Sequence, residues 1–120
     1  RKTNEDKWKK YALDYFEMTK SFALNCQHRV LLLETEIDIL MGNTDNAIMK
    51  YNKAINAAAE YGFIHEQAIA NERAGDFCLS KGDVRASYYY GEAYILYFQW
   101  GARGKAAHLK KKHSLEVNES

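Results

Sequence analysis

Tyr51-Asn-Lys-Ala54-Ile55 opens a stretch that ends ten residues on at Tyr61-Gly62, and 39 positions later Tyr90-Gly-Glu-Ala93-Tyr94 runs the same distance to Trp100-Gly101. The offset of 39 also relates Ala47 to Ala86, while Gly42 and Gly82 stand 40 apart. Self-similarity at this period is the mark of stacked helix-turn-helix units. Each unit in such an array buries its apolar face against the next. The functional question therefore turns from catalysis to binding.

Bulk composition narrows the field further. A length of 120 residues suits one domain, and 47% hydrophobic with 28% charged residues is a globular balance. Seventeen basic against sixteen acidic residues leave a net charge of +1, too little field to gather nucleic acid or anionic lipid. No apolar run reaches about 18 residues, so no membrane span is expected. The start at Arg1, without a charged-then-apolar leader, reads as a segment of a longer, non-secreted protein. Cys26 and Cys78 fall in apolar patterns without CxxC spacing and read as buried thiols of a reducing, cytoplasmic compartment. Proline is absent altogether, which favours helices joined by glycine-ended turns.

Six helices follow from periodicity and punctuation. The first spans about 5–20, with Trp8, Tyr11, Ala12, Tyr15, Met18 and Phe22 at three- and four-residue steps. The second spans about 25–41, with Asn25 as cap and Gly42 as stop; the third runs from Thr44 or Asp45 to Tyr61; the fourth covers 63–81 and ends at Gly82. The fifth follows Asp83 as far as Trp100, and the sixth spans 102–113 before the polar tail 116–120. Short connections make consecutive helices antiparallel, which predicts three hairpins. Ala47, Ala54, Ala58, Ala74, Gly75, Ala86 and Ala93 are the positions where backbones approach closely. The fifth helix, apolar nearly all round, belongs in the middle of the stack or offers an aromatic docking surface, and each of its tyrosines needs a partner for its hydroxyl.

The pattern small-x-x-x-Tyr-x-x-Ala after a helix and a glycine turn resembles the tetratricopeptide repeat family. Gly42, Ala47, Tyr51, Ala54 and Ile55 match its turn and second-helix positions in one unit; Gly75, Gly82, Ala86, Tyr90 and Ala93 match in the next. The period departs from the family's roughly 34 residues, and Glu34 and Asp38 stand where apolar residues are usual. The fold expected is all-α: tetratricopeptide-like antiparallel hairpins in a right-handed stack, comprising a leading helix (1–22), two full repeats (23–62 and 63–101), a terminal helix (102–115) and a tail (116–120). Residues 22–113 carry a more specific likeness. Gly62-Phe-Ile-His-Glu-Gln-Ala-Ile-Ala-Asn-Glu-Arg-Ala-Gly-Asp-Phe77 and Tyr97-Phe-Gln-Trp-Gly-Ala-Arg-Gly-Lys105 look like the helical region of very large sensor histidine kinases of bacteria and fungi. In that group a protein-kinase-like domain and a predicted ATPase precede the repeats, and a GAF sensor domain and the kinase core follow. The resemblance implies a parent in signal transduction and gives this segment no catalytic role.

Candidate chemistry is thin. His65-Glu66 begins like a zinc-protease HExxH, but Ile69 stands where the second histidine belongs, and the proline usual beside a phospho-accepting histidine is missing. Gly101-Ala-Arg-Gly104-Lys105 has glycines too close together for a phosphate loop, and Ala106 replaces the hydroxyl residue that would hold magnesium. His28, His65, His108 and His113 are scattered, the last two diverging on their helix. Lys7, Lys9 and Lys10 at one end and Lys105 and Lys110 to Lys112 at the other read as solvated faces. Asn118-Glu-Ser120 fits a glycosylation sequon that a cytoplasmic chain would never present to the enzyme. No catalytic, cofactor or metal residues are assigned.

In tetratricopeptide arrays the first helix of each hairpin lines a concave face. Carried over by position, that implies Arg29, Leu32, Glu36 and Ile39 from the second helix and Ile69, Glu72, Arg73, Asp76 and Ser80 from the fourth. The expected occupant is protein, either a peptide or helix in the groove or neighbouring domains of the parent. The exposed ends of the stack also allow a homodimer. The expected role is a non-enzymatic scaffold or relay in a histidine-kinase phosphorelay protein; the alternative is a free-standing adaptor that captures peptides.

Overall fold

The computed structural model describes the backbone of residues 2–113 and the side chains of 4–18 and 26–113. The tail with its Asn118 sequon, and the side chains of Phe22 and Asn25, lie outside the described residues. Those residues form six helices and no strand: α1 (Lys2–Asn25), α2 (Gln27–Leu40), α3 (Ala47–Glu60), α4 (Ile64–Ser80), α5 (Ala86–Trp100) and α6 (Arg103–His113). No helix among them is long and apolar enough to cross a membrane.

Four glycines end four of these helices for one physical reason. Gly42, Gly62, Gly82 and Gly101 have φ of 84°, 75°, 67° and 97°, the left-handed region that a β-carbon disfavours. At each, the next residue's N–H reaches back five positions to a carbonyl of the last turn: Asn43 to Asp38 (2.7 Å), Phe63 to Ala58 (2.9 Å), Asp83 to Cys78 (2.8 Å) and Ala102 to Tyr97 (2.8 Å). This double-bonded stop satisfies carbonyls that a helix end otherwise leaves orphaned. Alanine at Gly82, where open space surrounds the missing β-carbon, is expected to cost about 1 kcal/mol from backbone strain alone; urea denaturation measures it. The anticipated cap Asp83 sits in the turn before α5, its Oδ1 accepting the Arg85 N–H at 2.9 Å, and the cap position itself falls on Arg85.

The core is built from the small residues and tyrosines that the repeat pattern singled out. Ala54 and Ala93 are 1% and 0% exposed, and Ala47, Ala58, Ala74 and Ala86 are also buried. Tyr51, Tyr89, Tyr90, Tyr94 and Tyr97 fill the adjoining space. Four of these hydroxyls have acceptors within reach. Tyr51 donates to Glu36 (3.2 Å), Tyr90 to Asp76 (2.6 Å), Tyr97 to Glu72 (2.8 Å) and Tyr89 to Asn52 (2.8 Å). Burial first, and the neighbouring carboxylates second, hold the phenols of Tyr51, Tyr90 and Tyr97 well above their ordinary value. They stay O–H donors at any working pH. The far side of α5 is not enclosed, since Tyr88 and Trp100 remain exposed.

Each of α2 to α5 packs on the next, α2 also meets α4, and no helix meets one more than two places along the chain among the described residues. Three cross-helix bonds share one separation. Arg29 to Glu66 and Arg73 to Glu36 join α2 and α4, Tyr89 to Asn52 joins α5 and α3, and every one spans 37 residues. The two α2–α4 bonds at one separation mean that these helices run in the same direction; the α4–α6 tie from Lys105 to Glu72 spans 33 residues instead.

The leading helix departs from expectation. α1 extends to Asn25, past the anticipated end near residue 20, and among the described residues it meets only α2. Its junction is the single residue Cys26, at φ −103° and ψ 5°, with no glycine to reverse the chain. No first hairpin forms there, and the anticipated cap position falls on Cys26 instead of Asn25. Cys26 is only half-buried, unlike Cys78, which is fully enclosed and whose thiol burial pushes up. The described chain measures 70 × 37 × 18 Å, with a radius of gyration of 19.2 Å. A compact domain of this length has about 14 Å, so the chain is elongated.

Candidate functional site

Two grooves run along α4 and meet at His65, Ile69 and Arg73. The first, of about 540 Å³, lies between α2 and α4 above Ala54 of α3. Leu32, Leu33, Ile69 and Ala70 give it apolar walls, and Arg29, Glu36, Glu66 and Arg73 form its charged rim. The second, of about 550 Å³, lies against α4, α5 and α6, where Glu72, Asp76, Tyr97, Ala102 and Lys105 complete the lining.

Ion pairs span the grooves at regular steps. Arg29 reaches Glu66 at 2.5 Å and Arg73 reaches Glu36 at 2.6 Å, both between α2 and α4. Lys105 of α6 reaches Glu72 of α4 at 3.1 Å, its ammonium 5.7 Å from the Tyr97 ring centre. Lys50 and Asp38 pair between α3 and α2. The Arg29 guanidinium beside Glu66 holds that carboxyl below the ordinary value, against a smaller opposing effect of burial. Both arginines are more than half exposed, so solvent screens these pairs and they contribute little to stability. They set register and charge pattern more than stability.

The carboxylates do double duty. Glu36 accepts from Tyr51 below and from Arg73 above; Glu72 accepts from Tyr97 below and from Lys105 above. A buried phenol thus fixes the carboxylate from the core side, and a solvent-side cation fixes it from the groove. Networks of this kind hold a surface in one arrangement.

Seven of the nine residues carried over to the concave face line these grooves: Arg29, Leu32, Glu36, Ile69, Glu72, Arg73 and Asp76. Ile39 does not; it is half-buried and packs against the core. Ser80 sits exposed in the last turn of α4, donating to the Phe77 carbonyl at 2.7 Å. The positional reading missed His28, Leu33, His65, Glu66, Tyr97 and Lys105. His28 shares a helical face with Leu32 and Glu36, and His65 shares one with Ile69, so four-residue spacing was the available signal.

His28 is the odd group of the site. It is 3% exposed and stacks on Phe63 at 4.6 Å, yet neither ring nitrogen has a hydrogen-bond partner. Burial pushes its pKa down, outweighing the pull of Glu66 and adding to the repulsion of Arg29. The other buried polar side chains, Thr35 and Asn71, bond to carbonyls of their own helix. His65 packs edge-on against Trp100 at 4.3 Å, with Glu66 in the first turn of α4 near the positive end of its dipole. Among the described residues no three His, Cys, Asp or Glu side chains come together in a way that could hold a metal ion. No protein-family model, curated protein or solved structure matches this chain.

Proposed function

We propose that the chain is a tetratricopeptide-like, right-handed stack of helical hairpins that acts as a non-catalytic docking segment. In this reading it organises contacts between neighbouring domains of a cytoplasmic histidine-kinase phosphorelay protein. The observation that carries the docking role is the pair of continuous grooves on α4, with apolar walls and a rim of alternating charge. An apolar strip flanked by ordered charges is what an amphipathic helix or extended peptide requires of its receptor. The 39-residue sequence offset and the 37-residue bonding offset support a repeat array, in which the concave surface serves recognition. The signalling context rests on the sequence likeness of residues 22–113 alone.

Arg73→Glu tests the proposal, because it places like charges beside Glu36 and Asp76 at an exposed position that readily takes a polar side chain. In the intact signalling protein it is expected to shift signal-dependent autophosphorylation several-fold and leave the basal kinase reaction in place. Unchanged regulation, or nucleotide hydrolysis by the purified segment, would count against the proposal. The size and apolar walls of the first groove also suit the adaptor reading. There, Arg73→Glu and Glu36→Arg would each release a separate partner protein in a pull-down.

A further inference from the structure

α5 and α6 share an outer surface that no other helix covers among the described residues. Tyr88, Ile95 and Phe98 recur there at helical steps along α5, are exposed, and line neither groove of α4. They form a strip about 15 Å long, with open space around Gly91 in its middle. α6 walls the strip on one side, the Arg103 guanidinium 4.9 Å from the Phe98 ring centre and the Lys110 ammonium 5.8 Å from that of Tyr94. Glu92 stands on the opposite flank of the strip.

Charge is divided along the chain in a way that bears on this surface. Residues 86–113 hold five lysines and arginines and one carboxylate, whereas residues 26–85 hold six and nine. Lys105 is tied to Glu72 on the groove side of α6. Arg103 and Lys111 are exposed, and among the described residues neither is joined to a carboxylate. They lie on one side of α6, eight residues and about 12 Å apart.

We propose that this surface seats an amphipathic helix of a partner protein, with carboxylates on the edge that meets α6 and a lysine or arginine on the edge that meets Glu92. The molecule already fills one such seat with its own chain. α5 packs on α4 and reaches α3 through the Tyr89–Asn52 bond, and the 39-residue offset carries α3 onto α5, with Asn52 falling at Gly91. An added helix would lie on α5 and α6 as α5 lies on α3 and α4. Charge complementarity fixes its chemistry: two carboxylates about two turns apart answer Arg103 and Lys111. A lipid surface is anionic on every side and offers Glu92 no counter-charge, and a net charge of +1 gives the chain little attraction to it. The seat is separate from the two grooves, so it stands whether or not they bind anything.

A synthetic helix of about 18 residues, about 27 Å long, tests this by calorimetric titration into the full chain. It carries a leucine strip, two glutamates eight residues apart on one edge and a lysine on the other. Micromolar binding is expected, weakened about tenfold or more by Arg103→Glu with Lys111→Glu, and restored to that variant by a peptide with lysines in place of its glutamates. Ile95→Glu should also abolish it, and Leu33→Glu in the first groove should leave it unchanged. All four positions are exposed, so the variants fold. No binding at millimolar peptide, or binding lost in Leu33→Glu, would overturn the proposal. Co-sedimentation with phosphatidylserine vesicles that the Arg103→Glu, Lys111→Glu variant loses would replace the helix with a membrane. A dimer of the chain that Ile95→Glu dissociates would make a second copy the occupant and overturn it equally.

Discussion

Leucine at Gly75 is expected to cost about 3 kcal/mol or more, and alanine there about 1 kcal/mol, while alanine at Gly91 gains about 0.5–1 kcal/mol. The contrast comes from what a β-carbon would meet. At Gly75 it would lie 2.7 Å from Cδ1 and Cε1 of Tyr90; at Gly91 nothing lies within 4 Å. Tyr90 has no room to retreat. Its hydroxyl is tied to Asp76 at 2.6 Å, and the His113 ring stacks on it at 3.6 Å with an interplanar angle of 12°. The gain in helix propensity that alanine offers over glycine is about 1 kcal/mol. At Gly91 that gain stands alone, and at Gly75 the overlap exceeds it. Denaturation midpoints of the three variants decide the matter: a Gly75→Leu chain as stable as the parent would show that α4 and α5 do not touch here.

Gly75 also shows how much the sequence disclosed. Its place in the series Ala47, Ala54, Ala58, Ala74, Ala86 and Ala93 marks it as a close-approach position, and burial of every member follows. The four helix stops were equally plain, because a left-handed residue after an apolar run is nearly always glycine. α1 was less legible. Periodicity shows that a helix is amphipathic but not whether anything covers it, and no glycine or proline marks the boundary near Cys26. The grooves were partly legible. Position by analogy found the rim of Arg29, Glu36 and Arg73. It missed His28 and His65, because a histidine gives no charge or hydropathy signal that separates a groove wall from a surface. Ile39 was lost to the core for a related reason: an aliphatic on a helix flank fits either place.

His28→Leu is expected to raise stability by about 2 kcal/mol and to flatten its dependence on pH. A buried polar group without a hydrogen bond costs about 1–3 kcal/mol, and a leucine in the same space restores apolar contact with Phe63. The pH effect follows from the direction of the shift. Burial holds the pKa of His28 below the ordinary 6.5, so between the two values the unfolded chain binds a proton that the folded chain refuses. Stability is complete above about pH 6.5 and declines as acid carries the solution below it. His113, also lowered by burial and by Lys112, adds to the same trend. Melting temperatures at pH 7.5 and 5.5 should differ less for His28→Leu than for the parent, the remainder being largely His113. An equal acid sensitivity in both chains would mean that His28 finds a partner in solution.

Contacts confined to near neighbours make the molecule behave like a row of hinged slats. Tension applied at the two termini would be borne in turn by each seam, with the polar α2–α4 ties loosening before the tyrosine-packed α4–α5 seam.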